Sequence, residues 1–82
     1  MEGYHYVYIL RSKNWPDRYY TGFTNDLHRR LAEHNSGHVG HTRKFRPWIV
    51  KTAIAFEDRQ RARAFEAFLK SGSGRTFTRE RL

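Results

Sequence analysis

Residues 4–12, YHYVYILRS, leave little room for a solvent face. In an extended chain Tyr6 and Tyr8 point to one side, and Val7 and Ile9 to the other. A strand that is apolar or aromatic on both sides must be central, with a layer packed on each face. The 82 residues have room for one domain built around such a strand, spanning 1–82, and not for two.

The neighbouring segments supply the layers. Residues 13–17, KNWPD, carry turn chemistry in Pro16 followed by Asp17, and 18–23, RYYTGF, read as a second strand that returns antiparallel in a hairpin. Thr24 or Asn25 can cap a helix over about residues 25–35, which Asn35 and Gly37 end. Residues 36–47 form a basic loop, and 48–56, WIVKTAIAF, a third strand. Residues 58–70 have high helix propensity, with Asp58 near the N-terminus. SGSG at 71–74 reads as a break, followed by a short last helix over 75–81. The predicted order is ββαβα(α).

The charge points to the partner. Sixteen Lys and Arg against eight Asp and Glu give +8, and twelve of the sixteen cations are Arg, whose planar fork suits phosphate oxygens. Aromatic residues alternate with these cations, which favours nucleic acid, bound through counterion release. A membrane surface is disfavoured, because no basic amphipathic helix with a large apolar face is present. The chain has no cysteine, which excludes a disulfide framework and a thiolate metal site. No apolar run approaches a membrane span and no signal-peptide pattern opens the chain, so a soluble cytoplasmic protein is expected.

Both predicted helices carry charge on the stripe that should be buried. From Leu27, the positions i, i+3, i+4 and i+7 are Leu27, Arg30, Leu31 and His34, while His28, Arg29 and Glu33 point away. From Ala62 the corresponding set is Ala62, Phe65, Glu66 and Leu69. A lone buried charge is costly unless it is paired or binds a cation. Two readings account for these positions. In one, Arg30 and Glu66 form a buried salt bridge beside a half-buried His34. In the other, sheet and helices enclose a cleft equipped for phosphodiester hydrolysis, with a metal ligand, a cation for developing phosphate charge, and proton-transfer groups.

At this point the residues resemble a known family. Tyr6-Val7-Tyr8, a short hairpin and then Tyr20-Thr21-Gly22 resemble the paired motif of the GIY-YIG nucleases, and are similar to the nuclease domain of the UvrC excinuclease subunit. Arg30 falls eight residues after Gly22, where the family has its catalytic arginine. His34 follows one helical turn later, and Glu66 matches the metal-binding glutamate of the later helix. Thr42, Pro47-Trp48 and residues 69–77, LKSGSGRTF, resemble compact single-domain members. Tyr6 stands where the first motif has glycine, a position read as structural, as is Gly22. Phe23 stands where some DNA-repair members carry lysine.

The resemblance implies an α/β (α+β) fold with a small three-stranded antiparallel sheet flanked by helices. It implies a divalent-metal-dependent endonuclease acting on DNA, in repair or recombination. One Mg²⁺, with Mn²⁺ as a substitute, would be held by Glu66, water and phosphate oxygens. Arg30 would stabilise charge on the scissile phosphate, and His34 would partner or relieve the base. Tyr8 and Tyr20 would position or deprotonate the attacking water, and either could be that base.

His34, His38 and His41 have one-face helical spacing, but Gly37 and Gly40 break the helix and no cysteine completes a zinc site. Arg43, Lys44, Arg46, Lys70 and Arg75 are the candidate phosphate contacts, with solvated surface as the plainer reading. Trp15 and Trp48 could stack bases, though Trp48 at a strand start suits a core. The rival to the nuclease is a non-catalytic nucleic-acid-binding module on the same fold. A chain with so little surface for sequence readout also suits a partner protein for targeting. Nothing in the sequence sets an oligomeric state.

Overall fold

A computed structural model describes residues 3–82. The elements are β1 (His5–Ser12), β2 (Tyr19–Thr24), α1 (Leu27–Ser36), a 3₁₀ turn (Arg43–Phe45), β3 (Trp48–Phe56), α2 (Arg59–Leu69) and α3 (Gly72–Arg81). The three strands form one antiparallel sheet in the order β2-β1-β3. The strand without a solvent face is therefore central, and Val7, Tyr8, Ile9 and Leu10 are all buried.

Alternation along β1 divides the interior in two. Val7 and Ile9 pack with Ala62 and Leu69 of α2, backed by Phe65 and Phe77. Tyr8 and Leu10 pack with Trp48 on the other face, backed by Leu27 and Leu31 of α1 and by Phe45. Burying each large aliphatic side chain contributes roughly 1.5–3 kcal/mol, so both thin layers depend on β1. The consequence for the site is that α1 and α2 lie on opposite faces of the sheet.

Local chemistry sets the element ends. Thr24 belongs to β2, and its Oγ1 accepts from Asp26 N at 3.1 Å. Asp26, rather than Thr24 or Asn25, caps α1 by accepting from Arg29 N at 3.1 Å. Gly37 closes α1 in the left-handed conformation, as the helix-ending glycine predicts. The break at SGSG shrinks to one residue. Ser71 caps α3 by accepting from Gly74 N at 3.1 Å, so the helix begins within the glycines. Gly74 is buried, and a Cβ there would run into the Phe68 carbonyl. The β1–β3 register shifts between Ile9, opposite Thr52, and Leu10, opposite Val50, leaving Lys51 as the extra residue of a bulge.

Candidate active site

Tyr8 sits mid-strand on the α1 face, directly opposite Gly22 in the β1–β2 ladder. A Cβ at position 22 would collide with the Tyr8 phenol. The motif glycine thus opens the space in which the ring lies across β2. The Tyr8 hydroxyl meets His34 Nε2 at 2.8 Å, and His34 Nδ1 meets Thr42 Oγ1 at 2.7 Å. His34 is 0% exposed and Thr42 1%. Trp48 secures the loop that brings Thr42 there. Its Nε1 donates to the Thr42 carbonyl at 2.8 Å, and Asn35 of α1 bonds the Trp48 backbone through both amide atoms. Trp48 is thus a buried core residue, as its place at a strand start suggests.

Donor counting assigns the protons. Thr42 Oγ1 also lies 3.3 Å from the Val39 carbonyl, which can only accept, so the single hydroxyl proton goes there. His34 Nδ1–H then donates to Thr42, Nε2 is the acceptor, and the Tyr8 O–H donates to it. Burial first, and then the Arg30 charge, lower the His34 pKa to about 4, with Glu33 opposing. The imidazole is neutral at pH 7. Burial likewise raises Tyr8 to about 12; hydrogen bonding and charge from Arg30 oppose this, while Tyr20 and Glu66 add to it.

Tyr20 completes the aromatic wall, its ring 5.0 Å from that of His34 and 6.4 Å from that of Tyr8. The Arg30 side chain is 34% exposed, and its Nη1 bonds Glu33 Oε1 at 3.0 Å. The Arg30–Glu66 bridge, one of the two readings of these positions, is absent among the ion pairs of the described residues, and Glu33 does not simply point away. The i,i+3 spacing delivers Glu33 to Arg30, while Glu66 stands on the other side of the sheet. Glu66 lies on the buried stripe between Ala62 and Leu69, its side chain 13% exposed, held by Arg63 at 3.3 Å and Lys70 at 3.0 Å. Because α2 packs against both β1 and β2, the Glu66 charge still acts on Tyr8. The arrangement therefore straddles edge strand β2, rather than occupying one cleft between two helices as the shared phase suggested.

The candidate phosphate contacts fall into two groups. Arg43, Lys44 and Arg46 belong to the 3₁₀ region, where Arg43 Nε donates to the Gly37 carbonyl at 3.0 Å. Lys70 and Arg75 line a separate groove together with Tyr20. Tyr6 borders a second groove, beside Asp26 and His28. His34 is committed to Tyr8 and Thr42, and no group of three metal-ligating side chains exists among the described residues. Sequence reasoning missed Thr42 and Glu33 as site residues. Glu33 was legible from helix spacing; Thr42 lies in a loop without periodicity and carried no signal beyond the resemblance.

The Thr42 contact yields a direct test. Thr42→Val keeps the shape and removes the acceptor of His34 Nδ1–H, so His34 should shift toward the Nε2–H tautomer, with a stability loss of roughly 1–3 kcal/mol. Imidazole ¹⁵N shifts report the tautomer, and Thr42→Ser should restore the original. An unchanged tautomer in Thr42→Val contradicts the proton assignment.

An antiparallel β2-β1-β3 sheet carrying tyrosines on adjacent strands, with an arginine and a histidine one turn apart on the following helix, defines a class. The model of the GIY-YIG catalytic domain matches residues 4–80. The chain belongs to the GIY-YIG family, a family of nucleases. Within it, the chain is similar to UPF0213 proteins. One from Haloquadratum walsbyi is 37% identical, over 99% of this chain and 84% of the relative. Another, from Halobacterium salinarum, is 34% identical over 80% and 84% respectively. The solution NMR structure of a UPF0213 protein from Bacillus halodurans aligns with a TM-score of 0.56 and 35% identity, covering 93% of this chain and 80% of that one. No helix among the described residues is long and apolar enough to cross a membrane.

Proposed function

We propose that this chain is a divalent-metal-dependent endonuclease that hydrolyses DNA phosphodiesters. The observation that carries the reading is the buried chain Tyr8–His34–Thr42, which ends beside half-exposed Arg30. A protein that only binds nucleic acid has no need for a dehydrated proton path.

Tyr8 spends its proton on His34, so its lone pairs face away from the imidazole and can accept from a water. As that water loses a proton to Tyr8, the Tyr8 proton moves to His34 Nε2, and no free phenolate forms. In the resting site the net transfer runs from a water to an imidazole whose pKa burial holds near 4, and is steeply uphill. Transition-state charge stabilisation must offset most of that. Arg30, already drawing Tyr8 downward, is placed to do so on the scissile phosphate.

The donor set suits Mg²⁺, which takes one or two carboxylates and completes its shell with water and phosphate oxygens. Glu66, nearly buried and acting on Tyr8, would hold the ion. When bound, the ion supplies positive charge beside the phosphate, and Mn²⁺ should substitute. Arg63 bonds one Glu66 oxygen and Lys70 the other, which orients the carboxylate.

Incubating the protein with branched, nicked and duplex DNA in Mg²⁺, Mn²⁺ or EDTA tests the reading. Cleavage that requires metal supports it; binding with no cleavage under any metal transfers the protein to the binding-module reading. Binding itself should be salt-sensitive. Four or five neutralised phosphates give a slope of about −4 in log K against log salt, and a slope near zero would leave the +8 charge without its partner.

A further inference from the structure

We propose that nucleic acid flanking the cleavage point passes over the β2 edge and lies in the basic groove of Lys70 and Arg75, built by β2, the β3 bulge and α3. This rests on the nuclease reading above and extends it to a surface on the opposite face of the sheet from His34.

The groove encloses about 780 Å³, and Tyr20 forms part of its wall. Because the Tyr20 ring also stands 5.0 Å from His34, groove and candidate active site are continuous through one side chain. A second link is Lys70, which lines the groove and bonds Glu66 at 3.0 Å. Beyond these, Lys51, Arg75 and Arg79 face the same space. None of the three has an acidic partner among the ion pairs of the described residues. Asp17 and Arg18 at the rim offset one another in formal charge, so the groove stays strongly positive.

The backbone explains how Lys51 arrives there. Bulges re-aim side chains, and this one leaves Lys51 out of the ladder register, with its Nζ 5.8 Å from the centre of the Tyr19 ring. Tyr19, 52% exposed, belongs to β2, two strands away, and its ring holds the ammonium over the groove. On α3, Arg75 and Arg79 are four residues apart and share a face, about one 5.4 Å turn from each other. Each can therefore meet a different phosphate of one strand. The ligand recognised is a polymer with regularly spaced phosphates. Arg43, Lys44 and Arg46 would grip the same molecule from the α1 side.

The test is binding of a fluorescein-labelled DNA duplex in EDTA, measured by anisotropy across a salt series with the full chain. The double variant Arg75→Ala/Arg79→Ala should make the slope of log K against log salt shallower by about 1.8, and Lys51→Ala alone by about 0.9. Arg61→Ala/Arg81→Ala removes equal charge from exposed positions outside the groove and should leave the slope near wild type. Equal losses from both double variants would mean that only net charge matters, and would overturn the groove. So would a wild-type slope in Arg75→Ala/Arg79→Ala. Lys51→Ala reads the groove from a different element, so disturbance of α3 cannot mimic the result. Absence of any DNA binding by the wild-type chain would instead refute the nuclease reading on which the groove depends.

Discussion

Arg30→Ala is expected to lower DNA cleavage by on the order of 10² to 10³, while Arg29→Ala leaves turnover per bound complex close to that of the unmodified protein. The two arginines occupy one turn of α1, and either substitution changes net charge by the same amount. Their surroundings differ. Arg29 is exposed, and the contact near it is the Asp26 cap on its backbone N–H. Arg30 pairs with Glu33 and both hydrogen-bonds and attracts the Tyr8 oxygen. Losing Arg30 removes the fixed cation where charge develops and also the pull that lowers Tyr8. Folding should survive, because the Arg30–Glu33 side chains are 34% and 39% exposed, and such partly solvated pairs contribute about 0–1 kcal/mol. Single-turnover cleavage at saturating DNA, with melting curves for both variants, checks this. If the two variants fold and cleave alike, helical phase does not select Arg30 and the binding-module reading takes its place.

That pairing also marks where the sequence stopped being informative. Period-two alternation in YHYVYILRS predicts a central β1, and the helical period places Arg30, His34 and Glu66 on the inward stripes of their helices. Phase describes a side chain relative to its own helix only. It does not say on which face of the sheet that helix lies. Both readings of Arg30 and Glu66, salt bridge or catalytic cleft, place them in one shared space, whereas the ββαβα path sets α1 and α2 on opposite faces, and each charge takes a neighbour on its own helix. Thr42 was hidden for another reason. It reaches His34 because the Trp48 indole and Asn35 anchor a loop, and such long-range bonds leave no local pattern. The start of α3 differs from the expected residue 75 because glycine reads as a breaker, whereas Ser71 caps the helix and tight packing favours glycine at position 74.

Acid should destabilise the fold through His34, by about 3 kcal/mol between neutrality and pH 4. The imidazole is 0% exposed and neutral, wedged between Tyr8 and Thr42 with the Tyr20 ring beside it. Burial and the Arg30 charge move its pKa from 6.5 down to about 4, and Glu33 only partly opposes them. The sign follows from proton counting. Between those two values the unfolded chain binds the proton and the folded one does not, so acid favours unfolding. The stabilisation is complete above 6.5 and is lost as pH falls through about 4. A shift of this size is worth about 3 kcal/mol, a large share of the roughly 5–15 kcal/mol typical of a domain. Urea midpoints from pH 7.5 to 4 should show it, with the pH dependence flattened in His34→Gln, which cannot titrate. Carboxylates protonating near pH 4 affect both proteins, so the difference between the two curves isolates His34. A His34 ring resonance titrating near 6.5, or parallel curves for the two proteins, would show that the imidazole is not held neutral by burial. The Tyr8 proton path would then keep its acceptor only above that pH, because a protonated Nε2 cannot accept.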